Sequence, residues 1–136
     1  MTTLALELQK VTHRDSVVLL KLLQERKPWQ NISHKSMPSW EDHVDFVKSN
    51  PYKHWWIIRM NAMILGACYI TYRNEVGIQF LQGKQPYYHL VLAVMIERAG
   101  PGTYYANVNP VNAGVIRLFE SEGFKHIQNT YRKEIA

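Results

Sequence analysis

Gln82-Gly83-Lys84-Gln85-Pro86-Tyr87-Tyr88 has the makings of an anion site. Pro86 suits a first helical position, where its fixed φ fits and its missing N–H is not needed. A helix beginning there turns its partial positive end toward the loop, with the Lys84 ammonium beside it. A plain turn leading into a helix accounts for the same residues equally well. His89, one turn further on, is a candidate base without a sequence partner. The six histidines never recur at a spacing of three to five, so no zinc signature appears. There is neither a Gly-x-Ser-x-Gly elbow nor a P-loop. Cys68, in the apolar run Ile64-Leu65-Gly66-Ala67-Cys68-Tyr69-Ile70, reads as a packed small residue rather than a nucleophile.

The elements that must hold such a site follow from pattern. Leu4 to Gln9 alternates as a strand does, and Thr12-x-x-Asp15 forms a capping-box signature opening a helix from about His13 to Arg26. Ser39, with Glu41 and Asp42 in the next turn, opens a second helix that stops near Asn50-Pro51. Strands are expected at about Lys53 to Arg59, Met63 to Tyr72 and Val76 to Leu81, with Asn61 and Asn74 in the turns. A helix over about Pro86 to Arg98 ends at Gly100-Pro101-Gly102, and Thr103 to Val108 is again extended. Asn109 and Asn112 are both possible N-caps, Val115, Leu118 and Phe119 make an apolar helical stripe, and Gly123 is placed to end the helix. Phe124 to Ile127 returns to strand.

At 136 residues the chain makes one domain, residues 1–136, large enough to bury a core. A single cysteine excludes an internal disulfide framework. The net charge of +5 favours an anionic partner, such as a coenzyme A thioester or a nucleotide sugar, or serves solubility. The basic residues are scattered, which argues against nucleic-acid binding. No stretch reaches membrane-spanning length and the N-terminus lacks a signal-peptide layout, so a soluble, cytoplasmic protein is expected.

The order strand, two helices, three strands, helix, strand, helix, strand, with Asn112 opening the last helix and Gly123-Phe124 closing it, resembles the GNAT superfamily of N-acetyltransferases. The resemblance implies a mixed α/β sheet in the GNAT-like acyl-CoA N-acyltransferase fold, whose fourth and fifth strands run parallel and part around the thioester. A helical crossover is what parallel strands require in any case. It also implies an oxyanion contact from backbone N–H groups around Ile78, Gln79 and Phe80. Cofactor contacts fall to Gln82, Gly83, Lys84, Gln85, Tyr87, Tyr88, Asn112 and Phe119, and acceptor contacts to Trp29, Asn31 and His34 in the loop between the first two helices. Glu75 is the implied base, the alternative being a surface turn residue. Trp40, Phe46, Trp55 and Trp56 are acceptor-side aromatics or simply core.

Two departures stand out against the family pattern. The phosphate loop keeps neither register of its two glycines, so this is a degenerate pyrophosphate loop. One lost donor at Pro86 costs about 1.5 to 3 kcal/mol, a tenfold to hundredfold weaker site. Phe119 stands where many members place a general-acid tyrosine, leaving Tyr104, Tyr105 or Tyr131 as substitutes if they face the cleft. The implied function is acetyl transfer from acetyl-CoA to a primary amine (small molecule, amino sugar or protein N-terminus) by direct attack, with no metal. The alternative is a catalytically degenerate binding or interaction module of the same fold. An open sheet edge would also support a homodimer.

Overall fold

The computed structural model describes residues 6–25, 37–83 and 87–136. Its elements are β1 (Leu6–Lys10), a 3-10 turn (His13–Asp15), α1 (Ser16–Gln24), α2 (Trp40–Ser49), β2 (His54–Met60), β3 (Met63–Ile70), β4 (Glu75–Phe80), α3 (Tyr88–Ala99), β5 (Tyr105–Ala106) and α4 (Ala113–Ser121). The sheet runs β1-β2-β3-β4-β5, antiparallel except for the parallel β4–β5 pair.

Local chemistry sets the boundaries. The Thr12–Asp15 capping box forms, with the Thr12 N–H donating to Asp15 Oδ2 at 2.8 Å, but it opens a 3-10 turn ahead of α1. Ser39 Oγ caps α2 by accepting from Asp42 N–H, and Asn50 ends that helix in the left-handed region at φ 48°. Asn61 and Asn74, at φ 56° and 62°, turn the chain between successive strands. Such positions suit asparagine because its short polar side chain tolerates αL. Gly123, at φ 90°, closes α4 in a Schellman motif: Phe124 N–H reaches Phe119 O, Gly123 N–H reaches Glu120 O, and the Phe119 and Phe124 rings meet at 5.0 Å.

Two apolar layers sandwich the sheet. Ile58, Met60, Leu65, Cys68, Ile70, Val76 and Phe80 pack with Val91, Leu92 and Met95 of α3 and Phe119 of α4. On the other face Trp55, Ile57 and Ala67 meet Leu19 and Leu22 of α1 and Val47 of α2. Trp55 and Trp56, side by side on β2, are both core and point to opposite faces, whereas Trp40 is half exposed. Two polar ties bind the helices down. Buried His43 of α2 donates from Nε2 to Ser16 O at 2.7 Å, and Arg98 of α3 donates to Leu8 O across Trp56.

Residue pairing slips between Ile58 and Arg59, where β3 carries Leu65 as an extra residue beside Gly66. This bulge exchanges the faces, so Leu65 and Cys68 look one way and Ile64 and Ala67 the other. Gly66 also admits β4, since a Cβ there would lie 2.1 Å from Gln79 O.

Two expected strands are corrected. Thr103 to Val108 contributes only Tyr105–Ala106, because β4 offers β5 two paired residues before the strands part. Among the described residues Phe124 to Ile127 joins no sheet and the sheet has five strands, where six were expected: Phe124 is held by the Phe119 ring, while Ile127 is 71% exposed.

Replacing Gly66 with alanine forces backbone apart and is expected to cost about 1 to 3 kcal/mol. Gly114→Ala, in open space within α4, is expected to add about 0.5 to 1 kcal/mol. Urea denaturation of both variants checks the pair.

Candidate active site

The parting of β4 from β5 is the central feature. Among the described residues only Glu75–Tyr105 and Val76–Ala106 are paired, and beyond them β4 has a strand neighbour on one side alone. Leu81 N–H donates to Leu65 O and Thr71 N–H to Glu75 O, so the odd-numbered residues of β4 turn their backbone groups to β3. Antiparallel pairing alternates, and the backbone N–H groups of Ile78 and Phe80 therefore turn the other way, into the gap. Of the three expected amide donors, Gln79 is directed to β3 instead. Its side chain crosses to α1 and donates to Leu22 O.

Glu75 stands at the closed end of the gap. Thr71 Oγ1 donates to Oε1 at 3.2 Å while accepting from the Glu75 N–H at 3.0 Å, and Asn107 Nδ2 donates to Oε2. The carboxylate thus clamps β4 to the chain just past β5, about 10 Å along the strand from Ile78 at roughly 3.3 Å per residue.

The loop after β4 is built around Gln82 N–H, which donates to Glu25 Oε1 at the end of α1 at 3.0 Å, and Gly83, which turns at φ 85° in open space. Lys84 and Gln85, with Pro86, lie outside the described residues, as do Trp29, Asn31 and His34. Tyr87 is the N-cap of α3 and supplies no side-chain cap, so the first amides of that helix face outward without one. Asn112 caps α4, its Oδ1 accepting from Val115 N–H at 3.5 Å.

Tyr88 is the residue whose placement sequence pattern could not give. Its ring packs against Phe80 at 5.6 Å and edge-on against Phe119 at 5.9 Å, partly buried against the core that lines this face of β4. Burial pushes its phenol well above the ordinary range, and the neighbouring Tyr69 and Cys68 add to this. Burial likewise pushes the Cys68 thiol up. Both groups stay protonated through the physiological range. Phe119 is buried between Tyr88 and Phe124. The other phenols lie elsewhere: Tyr104 Oη donates to Gly100 O, Tyr105 sits half exposed on the sheet edge, and Tyr131 is exposed.

On the opposite face Tyr69 lies over Gly77, where a Cβ would come within 2.1 Å of its ring, and stacks on Tyr52 at 4.1 Å. A glycine inside a strand signals such close approach, and Gly77 was the available sequence clue. His89, which sequence left without a partner, pairs through Nδ1 with Glu122, the residue that follows α4, on the surface. A concavity of about 630 Å³ under β1, lined by Leu8, Arg59, Val94 and Arg98, lies at the other edge of the sheet from the gap.

If Glu75 is a clamp, Glu75→Ala and Thr71→Val should each lower stability by about 1 to 2 kcal/mol. The double variant should lose clearly less than the sum, as denaturation in a double-mutant cycle will show.

No protein-family model and no curated protein matches the chain. Solved structures do. A domain from Methanocaldococcus jannaschii is 25% identical, with 94% of this chain and 93% of that one covered at a TM-score of 0.73. An acetyltransferase from Thermus thermophilus is 18% identical over 95% and 92%, with a TM-score of 0.67. An aminoglycoside N-acetyltransferase in complex with CoA is 11% identical over 98% of each chain, with a TM-score of 0.65. Strand order, the parallel β4–β5 pair and these likenesses agree, and the chain has the GNAT fold of the N-acetyltransferases.

Proposed function

We propose that the protein is an N-acetyltransferase that uses acetyl-CoA and a primary amine. The observation that carries this reading is the open side of β4, where the Ile78 and Phe80 N–H groups face a gap bounded by α3 and α4. Acetyl-CoA supplies an activated acyl group. The gap fits its acyl end because it offers backbone donors along one edge of β4, spaced about 7 Å apart, and the uncapped first turn of α3 fits its phosphates.

The chain's residues divide the work. A backbone N–H on this edge of β4, from Ile78 or from Phe80, polarises the carbonyl without side-chain chemistry. Tyr88 holds a proton for the departing sulfur, in place of the phenol that Phe119 lacks. Burial keeps this phenol protonated, so it has a proton to give. The α1 and α2 face, with Tyr69 over Gly77, receives the amine. Glu75 takes the amine's proton through water, or serves only as the β4–β5 clamp. Direct attack by the amine needs no nucleophilic side chain, and Cys68 is buried.

A second reading, a non-catalytic module of this fold, is favoured by one observation: both Glu75 carboxylate oxygens are already engaged. Calorimetric titration with acetyl-CoA, followed by an amine screen, separates the two. Micromolar binding with turnover is expected. Binding without turnover would establish the second reading, and no binding up to millimolar would end the first.

Tyr88→Phe is expected to lower kcat about 100-fold while leaving the KM for acetyl-CoA within about twofold. Steady-state kinetics with Phe119→Tyr added to that variant should recover part of the loss, because the two rings are in contact.

A further inference from the structure

At Gly77 β4 has no side chain, and a tyrosine from the next strand takes the space. Tyr69 of β3 is the direct cross-strand partner of Gly77. A Cβ at Gly77 would lie 2.1 Å from Tyr69 Cζ, 2.4 Å from Cε1 and 2.5 Å from Oη, so the far end of the phenol, rather than its root, rests on β4. A tyrosine side chain is longer than the spacing of about 4.8 Å between neighbouring strands, and one that lies across the sheet carries its hydroxyl over the next strand toward that strand's far edge. For β4 the far edge is the gap.

The ring is held in this position. Tyr52 stacks on it at 4.1 Å and 14°, and Tyr52 is met edge-on by Trp55 at 4.9 Å and by Phe46 at 6.0 Å. Ring packing of this kind does not need the oxygen of Tyr69. Glycine inside a strand weakens it, and here it admits the hydroxyl end of the phenol to the β4 backbone. The peptide that follows Gly77 carries the Ile78 N–H, which turns into the gap. Tyr69 belongs to the α1 and α2 face and Tyr88 to the α3 face, yet the two are close enough that Tyr69 contributes to the upward shift of the Tyr88 phenol. A carbonyl bound at the Ile78 N–H therefore has one phenol toward each face of the sheet. The polar side chains beside Gly77 on β4 are committed elsewhere: Glu75 to Thr71 and Asn107, and Gln79 to Leu22 O.

We propose that Tyr69 Oη accepts a hydrogen bond from an N–H of the attacking amine and aims the nitrogen lone pair at the thioester carbon, with Gly77 as the seat that lets the phenol reach it. The assignment rests on the acetyltransferase reading above and adds the group that holds the nucleophile. Attack forms the C–N bond and breaks the C–S bond; the sulfur takes the proton of Tyr88, and the nitrogen gives up a proton to water. Tyr69 neither gains nor loses one. Its part is orientation, which counts when the reacting atoms must meet at a fixed angle.

The test compares the wild type, Tyr69→Phe and Gly77→Ala as full chains, with acetyl-CoA and three acceptors: ethanolamine, glucosamine and a short peptide with a free N-terminus. Tyr69→Phe keeps the stack on Tyr52 and removes one oxygen, so its circular dichroism and Tm should match the wild type. Its kcat/KM for the amine is expected to fall about tenfold, as for the loss of one hydrogen bond, while the KM for acetyl-CoA stays within about twofold. Gly77→Ala, which displaces the phenol, should lose as much, and adding Tyr69→Phe to it should cost little more. With carbon-13-labelled tyrosine, the resonance missing from Tyr69→Phe should shift when amine is added to the wild type saturated with CoA, whether or not turnover follows. Wild-type turnover that Tyr69→Phe leaves unchanged would overturn the proposal and leave the acetyltransferase reading standing. Absence of both turnover and the Tyr69 shift would end the two together.

Discussion

The structure turns on a strand that is hydrogen-bonded along one side only. β4 is held by β3 through its whole length, with Gly66 allowing the approach, and by β5 through just two residues. The N–H groups that turn away from β3 after Val76 have no strand partner among the described residues, so the end of β4 is open to an acceptor from outside the sheet. The closed end of the gap, in contrast, is firmly tied by Thr71, Glu75 and Asn107. A strand parted from its neighbour needs a fixed point from which to part.

Aromatic packing sets the other wall. Phe80, Tyr88, Phe119 and Phe124 form a chain of tilted and edge-on contacts from β4 through the start of α3 to the end of α4. Each contact of this kind is worth about 0.5 to 1.5 kcal/mol beyond the area it buries. The same contacts carry the exit of α4, because the Phe119–Phe124 pair is the hydrophobic partner of the Schellman turn at Gly123. The helix that limits the gap and the direction of the C-terminal segment are therefore fixed by one cluster.

What sequence made legible was mostly local. Thr12 with Asp15, Ser39, Asn50, Asn61, Asn74, Asn112 and Gly123 all mark ends or turns where the structure has them, because capping and positive φ depend on one or two residues. The order of the elements followed from these marks. The extent of β5 did not, since apolar alternation over Thr103 to Val108 says nothing of where a neighbouring strand departs. For the same reason Phe124 to Ile127 looked like a sheet strand: its pattern is that of a strand, but pairing is a property of two segments. The Leu65 bulge, invisible within an unbroken apolar run, decided which residues of β3 face α3. In the candidate site, the resemblance pointed to the amides around Ile78 to Phe80, and which of them turn toward the gap required the register. Tyr88 was recognised as a neighbour of the cofactor loop, but nothing in its spacing told of its burial against Phe119.

That last contact bears on how an acid can move within a fold. A phenol that protonates a leaving group needs a position near the sulfur, a dry surrounding and a fixed ring, and none of these demands a particular helix. At the gap of this protein α3 and α4 both present an aromatic ring, and the two touch. On the proposed reading, a hydroxyl on Tyr88 beside the plain ring of Phe119 would keep the packing while exchanging the source of the proton. Tyr88 is the first residue of α3, so its ring is placed by the same helix start whose first amides have no side-chain cap.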